Sequence, residues 1–126
     1  MIIATDKLKQ AILVAFGDNE MIKILDASII RPIAVNEIIR ETDIPHTTTY
    51  RKVKWLLDHG LLAVQKITTT AEGKKFSEVR TTLRSFTARY ELGKVEVEGE
   101  NNFNPVERTA QDFFSLDNSS PSGGVG

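Results

Sequence analysis

The stretch that decides the fold runs from Val35 to Leu62: VNEIIRETDIPHTTTYRKVKWLLDHGLL. Val35, Ile38, Ile39 and Thr42 recur at helical spacing and predict a two-turn helix. Asp43-Ile44-Pro45 closes it with a tight turn around an isoleucine that reads as buried. A second helix is expected over 46–59, stopping at Gly60, a natural occupant of the left-handed position after a helix. At about 100° per residue, Thr47, Tyr50, Arg51, Lys54 and Asp58 share one side of that helix. Thr49, Val53, Leu56 and Leu57 share the other.

Beyond Gly60 the hydrophobic period changes from near 3.6 to 2. Leu61 to Thr70 and Phe76 to Leu83 read as two strands, joined by a turn at Ala71-Glu72-Gly73-Lys74. Helix, turn, helix and basic hairpin in this order predict an α+β fold: a winged helix-turn-helix with a three-helix core and a β-hairpin wing over 66–80. Upstream, Thr5 caps a helix carrying Leu8, Ile12, Ala15 and Phe16, and Gly17 ends it. Asp18 starts another, with Met21, Ile24, Leu25 and Ser28 on one face, and Ile33-Ala34 then reads as a short extended connector. Downstream, Phe86, Ala88, Tyr90 and Leu92 share a face, Gly93 turns the chain, and Val95 and Val97 return it, a second β-hairpin. The apolar positions shift parity between Val79, Leu83 and Phe86, Ala88, which predicts a bulge near Arg84-Ser85. Asn104-Pro105-Val106-Glu107 is a helix start signal, and Val106, Ala110, Phe113 and Phe114 stripe the helix it opens. The expected organisation is a DNA-binding domain over 1–99, a C-terminal helix over 104–116 and a disordered tail over 117–126. The C-terminal helix either caps its own domain or joins a dimer seam with the Leu8-Ile12-Phe16 stripe, and symmetric association favours the seam.

Composition constrains function more than it first appears to. The 126 residues hold 16 Lys and Arg against 17 Asp and Glu, a net charge of -1, which taken alone argues against a nucleic-acid partner. By segment the balance is -2 over 1–45, +6 over 46–90 and -5 over 91–126. The middle block holds nine cations, Arg51, Lys52, Lys54, Lys66, Lys74, Lys75, Arg80, Arg84 and Arg89, against Asp58, Glu72 and Glu78. Such an asymmetry fits an anionic partner on one face. With no cysteine there is no thiolate metal site, catalytic thiol or disulfide framework. The two histidines, His46 and His59, lie on opposite sides of one helix and cannot share a ligand. No paired carboxylates or phosphate loop occur, so neither catalysis nor a cofactor or metal is expected. Apolar runs are short and no secretory leader is evident, which makes the expected protein cytoplasmic and not membrane-bound.

Three blocks, Ala34-Val35-Asn36-Glu37-Ile38-Ile39, Ile44-Pro45-His46-Thr47-Thr48-Thr49-Tyr50-Arg51, and Leu56 with Gly60-Leu61-Leu62, resemble winged helix-turn-helix transcription regulators of the ArsR-like superfamily, archaeal members in particular. The resemblance is specific over 20–83 and weaker through the hairpin Ser85 to Glu98. It implies a homodimer that places two recognition helices in successive major grooves of double-stranded DNA, with wings on the flanking backbone. By motif position it carries His46, Thr47, Tyr50 and Arg51 to the recognition helix and Lys74 and Lys75 to the wing. Cysteine pairs of the metal-sensing branch are missing, so metal sensing is not carried over. On the residues themselves, Arg suits guanine, Thr suits base edges or phosphate, and Lys neutralises phosphate. The candidate DNA-binding set is His46, Thr47, Tyr50, Arg51, Lys54, Lys74, Lys75 and Arg80. The alternative is a winged-helix module that binds a protein partner in a transcription or assembly complex without reading DNA. RNA is disfavoured, because the basic segment lacks interleaved aromatic residues.

Overall fold

A computed structural model describes Ile3 and residues 5–102. The helix expected over 104–116 and the tail over 117–126 lie outside the described residues. The chain is an α+β protein in which helices α1 (Asp6–Phe16), α2 (Asn19–Ala27), α3 (Val35–Thr42) and α4 (His46–Asp58) precede two antiparallel hairpins. Strand β1 (Ile33–Ala34) lies between α2 and α3, and β2 (Leu62–Thr69), β3 (Lys75–Thr81), β4 (Leu83–Glu91) and β5 (Lys94–Asn101) follow α4.

Local chemistry sets each boundary. The Asp18 carboxylate accepts from the Met21 N–H at 3.0 Å and caps α2. Helix α3 ends where Asp43 takes the left-handed conformation at φ 60°, which aspartate tolerates better than most side chains. Helix α4 ends with two bonds that wrap its last carbonyls: Leu61 N–H donates to Leu56 at 2.9 Å and Gly60 N–H to Leu57 at 3.2 Å. Gly60 sits at φ +85°, where any Cβ would be strained.

The core gathers one face of each helix. Ile12, Ile24, Ile38 and Leu56 are fully buried, together with Ile33, Leu61, Leu62 and Val79 from the sheet side. Two buried hydroxyls stitch the end of α2 to β3: Thr81 Oγ1 donates to Leu25 O at 2.7 Å and lies 3.1 Å from Ser28 Oγ, which itself donates to Ile24 O at 2.6 Å. The Thr81 N–H donates to Ser28 O at 2.9 Å beside them. Burying these groups therefore leaves no lost hydrogen bond behind. Of the Leu8-Ile12-Phe16 stripe expected at a dimer seam, Ile12 is consumed by the core and Leu8 packs against it. Phe16 remains half exposed, edge-on to Phe86 with ring centroids 5.0 Å apart.

The strands form two sheets, β1-β3-β2 and β4-β5. Ile33 pairs with Val79 and Ala34 with Glu78, so β1 covers only the root of the first hairpin. The register of β4 on β5 slips between Leu83 and Ser85, where the parity change places it. Leu92 departs from expectation. It lies in the two-residue turn with Gly93, at φ 51° and 81°, and is 93% exposed rather than continuing the face of Tyr90.

Lys52 is the central tie between helices. Its ammonium reaches Asp18 at 2.5 Å and Glu20 at 2.9 Å, fixing the middle of α4 to the start of α2. Burial alone would raise the Asp18 carboxyl, but the bonds from Lys52 and the Met21 N–H outweigh it and hold Asp18 below the ordinary aspartate value. The Asp18 and Glu20 carboxylates raise Lys52 in turn, against the opposing effect of burial. Asp18 stabilises the fold above its unfolded pKa of about 3.9, and that contribution disappears as the pH falls through its lower folded value. Lys52 contributes below its unfolded pKa of about 10.4 and loses that contribution as the pH rises through its raised folded value. Denaturant titrations should therefore show a loss of stability at each extreme. Asp18→Ala should flatten both limbs and cost about 0.5–2 kcal/mol at neutral pH for the cap, with the lost Lys52 pairing adding to it.

Candidate nucleic-acid interface

Helix α4 presents the expected front. His46, Thr47, Arg51 and Lys54 are exposed, and Tyr50 is half exposed. The back holds Thr49, Val53 and Leu56, all buried, with the Thr49 hydroxyl donating to Pro45 O at 3.0 Å. No side chain caps the start of α4, and its first turn carries no acid. Trp55 is half buried and stacks on His59 with centroids 3.9 Å apart, while His59 Nδ1 lies 2.8 Å from Trp55 O. His59 therefore packs at the far end of the helix from His46.

The hairpin expected as the wing is formed by β2 and β3. Its tip closes with Thr70 N–H donating to Lys74 O at 2.8 Å and Lys74 N–H donating to Thr70 Oγ1 at 3.1 Å. Gly73 takes φ +87° there. Lys74 and Lys75 stand exposed just past the turn, with Glu72 on it.

A groove of 660 Å³ runs between the wing, α3 and α4. It brings together Tyr50 from α4, Lys74 and Lys75 from the wing, and Asn36 and Arg40 from α3. Phe76 and Val35 supply apolar wall, and Glu37 and Glu78 are its acids. The Tyr50 phenol donates to Asn36 Oδ1 at 3.2 Å, which orients the ring against α3. Asn36 and Arg40 were absent from the sequence-derived set. Their i, i+4 spacing puts them on one exposed side of α3, but only the fold shows that this side faces the wing.

The cations of the basic block, together with Arg40 of α3, separate into two groups. Lys52 is held by Asp18 and Glu20, and Lys54 pairs with Asp58 at 3.0 Å. Arg84 meets Glu100 at 3.2 Å, and Arg89 pairs with Glu91. Arg84 and Ser85 together lower the Glu100 carboxyl below its ordinary value. The Arg80 guanidinium donates from Nε to Ile29 O at 3.3 Å and is half buried. Arg80 lies opposite Ala63 near the root of the sheet, roughly 17 Å along the strand from Lys75. Among the described residues, Arg40, Arg51, Lys66, Lys74 and Lys75 form no ion pair. Arg51 stands on the front of α4, and Arg40, Lys74 and Lys75 line the groove beside it.

Among the described residues, no three of His, Asp and Glu gather where they could hold a metal ion. No helix there is long and apolar enough to cross a membrane. No protein-family model and no curated protein sequence matches the chain. Among solved structures, one described as a zinc-bound manganese uptake regulator matches with a TM-score of 0.37 and 17% identity, over 98% of this chain and 90% of that one.

Proposed function

We propose that this chain is a winged helix-turn-helix regulator of transcription that binds double-stranded DNA as a homodimer. Helix α4 is its recognition helix and the β2–β3 hairpin its wing. The observation that carries this reading is the convergence of Lys74 and Lys75 with Arg40 and Tyr50 in one groove beside the front of α4. Segments distant in sequence thus present, on one side, cations that form no ion pair among the described residues. A duplex suits this arrangement, because its backbone is a line of evenly spaced phosphates flanking a groove wide enough for a helix. Arg51, His46 and Thr47 face base edges in this reading, and Tyr50 is positioned by Asn36. Lys54 has a smaller role, since Asp58 already engages its charge. Arg80 supports the sheet rather than the phosphates.

The test is a salt titration of binding to duplexes selected from a randomised pool. Affinity should fall steeply with salt, and Lys74→Ala should reduce the slope of log K against log salt by about one. Arg80→Ala should leave the slope unchanged. Failure to bind any duplex at low salt, with the fold intact, would overturn the reading in favour of a protein-binding winged-helix module.

A further inference from the structure

The β4–β5 hairpin forms a sheet of its own, anchored to the body at its root. Phe86 meets Phe16 there, and the Ile3 N–H donates to Val97 O at 2.8 Å. Gly99 admits Leu83 so closely that a Cβ would stand 3.2 Å from Leu83 Cδ1. Away from that root the apolar face runs on without cover among the described residues. Tyr90 is 74% exposed, and Val95 opposite it is also exposed. A two-stranded hairpin with one apolar face in water is marginally stable by itself.

The hydrogen-bond pattern shows which backbone groups lie unpaired. Because the Val97 carbonyl reaches Ile3, Val97 points its polar groups away from β4. Val97 and Ala88 are therefore a non-hydrogen-bonded pair, and the N–H and C=O of Ala88 point away from β5. The same alternation turns the polar groups of Phe86 and Tyr90 to the free edge of β4. Among the described residues these groups find no backbone partner. From Ser85 to Glu91 that edge has no proline and no further bulge, two of the devices that blunt an open strand.

We infer that β4 pairs antiparallel with β4 of a second copy about an axis through Ala88, giving a four-stranded sheet β5-β4-β4′-β5′. This rests on the proposed two-copy regulator and names the surface that joins the copies. The edge is self-complementary in this register. Ala88 faces the partner's Ala88 through outward N–H and C=O groups, and Phe86 faces the partner's Tyr90 on the apolar side. Cross-strand aromatic pairs of this kind stabilise sheets. On the polar side Thr87 faces the partner's Arg89 and Ser85 faces the partner's Glu91, so no like charges stand directly opposite. The Arg89–Glu91 pair of each copy brings both signs to that side.

The experiment is the solution mass of the full chain, measured without DNA, together with site-specific cross-linking. Light scattering should give twice the chain mass of 14.1 kDa for the native sequence. Ala88→Pro removes an edge-facing N–H and no bond of the β4–β5 ladder, so it should give the single-chain mass with the fold retained by circular dichroism. The native sequence has no cysteine, so Ala88→Cys introduces one thiol per chain. A short bis-maleimide should join these thiols into covalent pairs, because directly opposed Cα atoms lie about 5.5 Å apart. Lys23→Cys, exposed on α2, should not cross-link. A native chain of single mass overturns the inference. So does a double mass that survives Ala88→Pro without cross-linking at position 88, which would assign the seam to another surface, including residues 103–126. Neither result bears on DNA binding, whose failure would appear only in the salt titration.

Discussion

Arg51→Ala should weaken binding to a selected duplex by about 1–3 kcal/mol, the value of one good bidentate contact to guanine. That is roughly a 5- to 150-fold rise in Kd. The size of the effect follows from what Arg51 does in the unbound protein. It is exposed on the front of α4 and, among the described residues, engaged by no carboxylate. Its guanidinium can therefore meet a base without first giving up a partner. Lys54 is the internal comparison, because it shares the same front but holds Asp58 at 3.0 Å. Lys54→Ala should cost less, and fluorescence anisotropy on one duplex ranks the two directly. Equal losses would show that the free charge of Arg51 is not what matters.

Leu56→Ala should lower the unfolding free energy by about 2–5 kcal/mol, the range for truncating a buried leucine. Against a total of about 5–15 kcal/mol for a domain of ordinary stability, this removes a large share of the margin. Leu56 is fully buried, and its carbonyl receives the Leu61 N–H at the wrap that ends α4. The cavity would thus open beneath the helix that carries Arg51. Leu57→Ala, at a half-buried position on the same helix, should cost clearly less in the same denaturant titration.

Most of the architecture was legible because its signals are local. Gly60 after a helical repeat, Asp18 before one, and the parity shift at Arg84-Ser85 each report backbone geometry through a few neighbouring residues. Leu92 was misplaced because alternation alone extends a strand through a tight turn, and only Gly93 beside it marked the boundary. The front of α4 was equally readable from one helical period. The groove was not, since Asn36 and Arg40 become part of it only when the wing folds back beside α3. Charge counting does not reveal that Arg80 bonds the Ile29 carbonyl or that Lys52 is held by Asp18, because the fold brings those partners to them.

Thr82, the single residue between the two sheets, has a consequence for geometry. Its N–H donates to Leu61 O at 3.0 Å and its hydroxyl to Gly60 O at 2.7 Å, both just beyond the end of α4. Its own carbonyl receives the Asn102 N–H at 2.9 Å, and the Asn102 side chain donates to Ile29 O and Thr81 O. A joint clamped from several sides transmits rotation instead of absorbing it. Whatever holds the β4–β5 hairpin therefore also aims α4. In the proposed dimer, spacing and tilt between the two α4 helices would then be a property of this joint, more like the fixed jaw of a caliper than a hinge.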